Sequence, residues 1–153
     1  VPPQPPLANW EAAAAELAPH IAEAAIVVTT SELEALYFFG RHDLLVSHSR
    51  LSEMGPGSDF DRDRRTGRPV IATAEAMQAV LDCVGPGILI SRDTRVRANP
   101  YLDDAVADVI MQRTTPLPLP PAWHILAWTW DGAASPDGPA CATVRGALGT
   151  NSG

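Results

Sequence analysis

The chain reads as an α/β protein, a three-layer sandwich on a mostly parallel five-stranded sheet. Short, uniformly apolar runs rich in β-branched residues, "AAIVVTT" (24–30) and "GILIS" (87–91), are the pattern of strands buried on both faces, as parallel strands are. Between such runs lie helical stretches with their own start and stop signals. With 153 residues, 46% hydrophobic and 19% charged, the chain is long enough to bury one sizeable core as a single domain.

The first element is a helix from "NWEAAAAELAPHIAEA", with Asn9 as N-cap and Trp10, Ala14, Leu17 and Ile21 along one face. Pro19 falls inside it, so the helix is expected to end or kink near Ala18. The run 24–30 is the first strand. "TSELEALYFFG" then makes a helix with Thr30 or Ser31 as N-cap, Glu32 and Glu34 in the first turn, and Gly40 closing it. "HDLLVSH" is the second strand. Residues 49–68 keep neither period and read as a long polar excursion, after which "PVIA" (69–72) returns as a brief strand whose leading proline suggests an edge.

"TAEAMQAVLDCVG" follows as a helix capped by Thr73 and closed by Gly85, then the 87–91 strand, then a polar loop and a helix beginning near Asn99-Pro100 with Leu102, Val106, Val109 and Ile110 inward. "WHILAWTWD" (123–131) is the last strand. This alternation implies a Rossmann-like order 3-2-1-4-5 with the 24–30 strand central. The expected organisation is a Pro-rich N-terminal extension over 1–8, the α/β domain over 9–131, and an irregular C-terminal tail over 132–153.

All eleven basic residues are arginine, which fits the coding bias of a GC-rich bacterial genome and lowers the functional weight of any one arginine. A net charge of -7 argues against nucleic acid or an anionic membrane surface as the main partner. No run approaches the roughly 20 apolar residues of a membrane span. No signal-peptide pattern stands at the start, and the expectation is of a processed or excised piece of something longer. Cys83 and Cys141 are far apart and in no metal spacing. The plainer reading is two unrelated thiols. The alternative, in an oxidising compartment, is a disulfide that clips the tail onto the helix carrying Cys83.

Several chemistries are tested and set aside. The turn after the first strand, "TTSELEAL", lacks the glycines a dinucleotide fold uses, and Glu32 and Glu34 would repel a phosphate at Ser31. A P-loop needs a lysine, and the chain has none. Ser58 in "GPGSDF" lies in a loop and is no nucleophile elbow. His42 and His48 would be roughly 20 Å apart along a strand and cannot share an ion with Asp43, so no metal and no cofactor is expected. "DFDRDRRTGRP" reads first as a self-paired exposed loop. Its Arg65 and Arg68, around Thr66-Gly67, are nevertheless the best candidates for gripping a phosphate or carboxylate, with Arg41 and Asp43 beside them at the sheet rim. Trp123, Trp128 and Trp130 read as core or edge covering, with partner contact as the alternative.

Taken in order, "NWEAAAAEL", "AIVVTTSELEALYFFGRHD", "RTGRPVIATAEAMQAVL" and "GILIS" resemble the soluble C-terminal domain that follows the membrane helices in many bacterial polytopic glycosyltransferases. Those are lipid-linked sugar users related to the dolichyl-phosphate-mannose protein mannosyltransferases. The match falls on Trp10, Tyr37, Gly40, Arg41, Asp43, Thr66, Gly67, Pro69, Val70 and Ile71 and covers about residues 9–130. Phe38 and Phe39 replace the usual tyrosine and leucine, and the "LPLPP" linker and long tail depart from the pattern.

The resemblance implies an extracytoplasmic domain without the reaction centre, because in that family the catalytic acidic residue lies in a loop of the membrane portion. The expected role is therefore a non-catalytic docking or stabilising subunit of a membrane protein complex, or an appendage to the membrane-embedded part of a longer protein. The alternative is a domain that binds a sugar phosphate or nucleotide sugar through Arg41, Asp43, Arg65 and Arg68.

Overall fold

A computed structural model describes residues 7–47, 61–62, 67–99 and 101–149. Helix α1 spans Trp10–Glu23, with the Asn9 side chain accepting from the Ala12 N–H at 3.1 Å. It runs through Pro19 where the sequence predicted a break. The carbonyl left without its N–H partner is that of Ala15, on the exposed side of the helix, while Leu17 and Ile21 stay buried across the interruption. The buried stripe includes Ala13 in place of the expected Ala14.

Strand β1 (Ile26–Thr29) is wholly buried. A short helix α2 (Glu32–Glu34) widens directly into a π-helical turn, Ala35–Phe39, which Gly40 ends at φ +71, a conformation that calls for glycine. Strand β2 (Leu44–Val46) follows, then β3 (Asp61–Arg62), β4 (Pro69–Ile71), helix α3 (Ala74–Cys83) and β5 (Gly87–Arg92). Helix α4 (Asp104–Arg113), strands β6 (Thr115–Pro116) and β7 (Ile125–Trp130), and helix α5 (Cys141–Leu148) complete the described chain.

The described sheet has seven strands in the order β3-β4-β2-β1-β5-β7-β6. Its middle, β4-β2-β1-β5, is parallel, and β1 is central, as expected. The flanks differ from the expectation of five mostly parallel strands. β7 runs antiparallel to β5, and the two-residue strands β3 and β6 pair antiparallel at the edges. Two residues are too few to show a period, so neither edge strand was visible in the sequence. With β3 outside it, β4 is not the edge that Pro69 suggested.

Alternate side chains of the strands enter two separate cores. Val27, Ile88 and Ile90 meet the stripe of α1 on one face. Val28, Leu44, Val46, Ile71 and Leu89 meet α3, α4 and α5 on the other, so helices cover both sides of the sheet. Helix α4 starts at Asp104 with Asp103 as its cap, later than predicted, because Leu102 is buried in an extended loop bridged to Val96. Trp128 and Trp130 are core residues. Trp130 lies so close over Gly87 that a Cβ there would come within 2.1 Å of its ring, and its indole N–H donates to the Val84 carbonyl at 2.8 Å.

The segment read as an irregular tail contains α5. Cys141, Val144 and Leu148 on α5 are buried in the main core, and Cys141 forms a disulfide with Cys83 on α3. Eight residues with three buried positions are a weak periodic signal among glycines and alanines; the cross-link to α3 supplies what local propensity does not.

Candidate functional site

The junction 40–43 is built around one carboxylate. Asp43 pairs with Val27 twice: its N–H donates to the Val27 carbonyl, and its Oδ2 accepts the Val27 N–H, both at 2.8 Å. Arg41 closes the same corner. Its Nε and Nη2 donate to Asp43 Oδ2 at 3.0 and 2.8 Å, and its Nη1 donates to the carbonyls of Ile21 and Ala24 at 3.2 and 3.0 Å. Those carbonyls end α1, where a cation is also favoured by the helix dipole. Arg68 Nη1 donates to the His42 carbonyl at 2.7 Å, which ties the return strand to the junction, and His42 itself is buried.

All of this lies at the amino ends of β1, β2 and β4, since Asp43 precedes Leu44 and Arg68 precedes Pro69. Of the remaining residues predicted as ligand contacts, Gly67 adopts φ +70 just before β4, while Arg65 and Thr66 lie outside the described residues, as do His48 and Ser58. Among the described residues no group of three His, Cys, Asp or Glu side chains is placed to hold a metal ion. A hollow of about 290 Å³ opens at this same end of the sheet, lined by His20, Glu23, Pro86, Gly87, Trp130 and Asp131. Its ionisable rim carries two carboxylates, which disfavours an anion there.

In open α/β sheets ligands sit outside the carboxyl ends of the strands, where connections leave in opposite directions. Here the chain leaves β1 towards β2 and leaves β5 towards β7, so that place is between β1 and β5. Its floor is made of hydroxyls. Thr30 and Ser91, both buried, are paired at 2.7 Å, and Ser91 passes its own proton to the Arg92 carbonyl at 2.9 Å, which makes Thr30 the donor of the pair. The Ser31 N–H donates to Thr29 Oγ1 at 3.0 Å.

Arg95 lies across this floor. It sits on a 3-10 turn, Asp93–Arg95, that continues β5, and its Nη1 donates to the Thr30 carbonyl and to Ser31 Oγ. Its guanidinium carbon is 4.0 Å from the centre of the Tyr101 ring. Among the described residues no carboxylate pairs with it. Beside it, Asp93 and His124 lock the ends of β5 and β7 together through Nδ1 and Oδ2 at 2.9 Å and the Asp93 N–H on the His124 carbonyl at 3.0 Å. In the sequence "RDTRVR" is part of a polar loop with no motif of its own. Its position directly after a buried parallel strand was the signal that could have singled it out.

A second surface belongs to α2 and its π-helical turn. Leu33, Tyr37 and Phe38 are 60%, 83% and 37% exposed, and Leu33 and Tyr37 stand four residues apart on the helix. Phe38 stacks on the buried Trp10 with centroids 6.3 Å apart, Trp10 meets Phe39 edge-on at 5.8 Å, and Tyr37 meets Phe38 edge-on at 4.8 Å, so the two exposed aromatics are joined to a buried ring. π-helical turns are rare and occur frequently at functional sites.

No family model, curated protein or solved structure matches the chain.

Proposed function

We propose that this chain is a non-catalytic, Rossmann-like domain on the extracytoplasmic side of a membrane, where it docks onto or stabilises a membrane protein assembly. The observation that carries the reading is the exposed apolar surface of Leu33, Tyr37 and Phe38, whose aromatics pack on the buried Trp10. Side chains of this kind supply large contact area with little loss of conformational freedom, and they are enriched at interfaces. The Cys83–Cys141 disulfide suits an oxidising compartment. The motif resemblance to the appended domain of polytopic glycosyltransferases supports the same role. Among the described residues no helix is long and apolar enough to cross a membrane; in this reading a partner, or a membrane-embedded part of a longer protein, provides the attachment.

The test is site-specific photo-crosslinking in native membranes, with a benzophenone side chain at position 37 and, as control, at position 111 on the outer side of α4. Adducts to one integral membrane protein from position 37 and none from 111 are the expected result. Equal labelling from both positions, or a monomer without adducts, would sink the reading.

A further inference from the structure

We infer that Arg95 is the anchor of an oxyanion site at the carboxyl ends of β1 and β5, taking the phosphate of a small monoester or a carboxylate. A guanidinium holds five N–H donors in a fixed plane. At Arg95 the two on Nη1 are directed to the Thr30 carbonyl and the Ser31 hydroxyl, and Tyr101 lies against one face. The remaining edge, Nε–H and Nη2–H, meets no acceptor among the described residues. That edge is the one which pairs in a fork with carboxylate or phosphate.

Arg41 shows the same side chain with that edge filled. Its Nη1 also bonds backbone carbonyls, and its Nε and Nη2 both donate to the Asp43 carboxylate. Arg95 thus has the geometry of an arginine half of an ion pair whose other half is not supplied by the described chain. It is ordered by the fold before any ligand arrives, so binding forfeits little rotamer freedom. It also stands at the switch point between β1 and β5, the place where open α/β sheets hold their ligands. Through its bond to Ser31 it brings to that helix start a positive charge to set against Glu32 and Glu34, which alone would repel an anion there. The inference does not depend on the docking reading, which concerns a different surface.

The experiment is a titration of the full chain, labelled with nitrogen-15, by inorganic phosphate and separately by acetate, with ionic strength held constant by sodium chloride. The signals followed are the Arg95 Nε–H and the backbone amides of Ser31 and Tyr101. Saturable shifts confined to these groups are expected. Tighter binding of phosphate assigns a phosphate ester as the ligand class, and tighter binding of acetate assigns a carboxylate. Arg95→Gln should remove saturation, Arg95→Lys should weaken binding at least tenfold, and Arg97→Gln should leave it unchanged. Linear, unsaturable shifts in the wild type would overturn the inference, as would equal binding by Arg95→Lys, the variant that keeps the charge if Arg95→Gln does not fold.

Discussion

Arg41 and Arg95 each direct one terminal nitrogen at backbone carbonyl oxygen, at opposite ends of the same parallel strands. At the amino end the rest of the guanidinium is matched by Asp43, whose carboxylate also takes the Val27 N–H, so strand, helix terminus and turn are closed by one ion pair. At the carboxyl end the corresponding edge of Arg95 has no carboxylate among the described residues: Thr30 donates to Ser91 and Ser91 to the Arg92 carbonyl, while the adjacent Asp93 is held by His124. The difference separates a cation that completes the fold from one that the fold positions. Such a contrast is visible only donor by donor, because both side chains are half-buried arginines near a strand end.

The contrast can be broken or sharpened by stability measurements, read as unfolding free energies from urea titrations with each variant's own m-value. The largest effect should come from neither arginine. Replacing Cys83 and Cys141 by alanine removes a cross-link with a sequence separation of 58, and chain-entropy arguments put the loss at about 4 kcal/mol. This variant sets the scale for the others, and a loss much below that would mean that α5 holds to α3 by packing alone.

Next in size is Asp43→Ala, which leaves the Val27 N–H without its acceptor and Arg41 without its carboxylate. About 3 kcal/mol is expected, since a hydrogen-bonded charge is being stranded in a partly buried corner. Arg95→Gln should follow at about 1 kcal/mol, the value of one carbonyl bond and a partly exposed cation–π contact. A loss at Arg95 as large as that at Asp43 would erase the distinction between the two arginines and make Arg95 a structural residue.

The smallest effect belongs to Arg97→Gln. Arg97 is exposed, and its pKa is raised by hydrogen bonds to Asp108 and Asp104. Its urea midpoint should be indistinguishable from the wild type's, as surface ion pairs generally contribute little.

Much of the fold was legible because burial imposes period and composition on the strands. The runs around Val27 and Ile88 read as strands covered on both faces because they are short and rich in β-branched residues, and Asn9, Thr73 and Gly40 mark helix ends by chemistry that acts within three residues. What escaped were features set by contacts distant in sequence. Pro19 does not stop α1 because Leu17 and Ile21 are held by the sheet. Helix α5 is held by α3 through the Cys83–Cys141 bond, and β3 and β6 exist only as partners of β4 and β7.

The candidate site shows the same division. Arg41, Asp43 and Arg68 drew attention as a charged cluster beside glycines, a local pattern. Their side chains turn to the α1 terminus, to Val27 and to the His42 carbonyl, none of which a spacing rule reveals. Arg95 carried no local mark beyond following a buried strand.

By itself the sequence determined the α/β class, the central position of β1, the Asn9 and Thr73 caps and the glycine turn at Gly40, because hydrophobic periodicity, capping and left-handed backbone act over a few residues. Only the tertiary structure decided which end of the sheet each arginine occupies, that Asp43 completes one guanidinium and nothing described completes the other, and that the two cysteines meet. Those outcomes depend on strand order and direction, which bring residues 30 and 95, or 83 and 141, into contact across stretches of chain that carry no local record of the meeting.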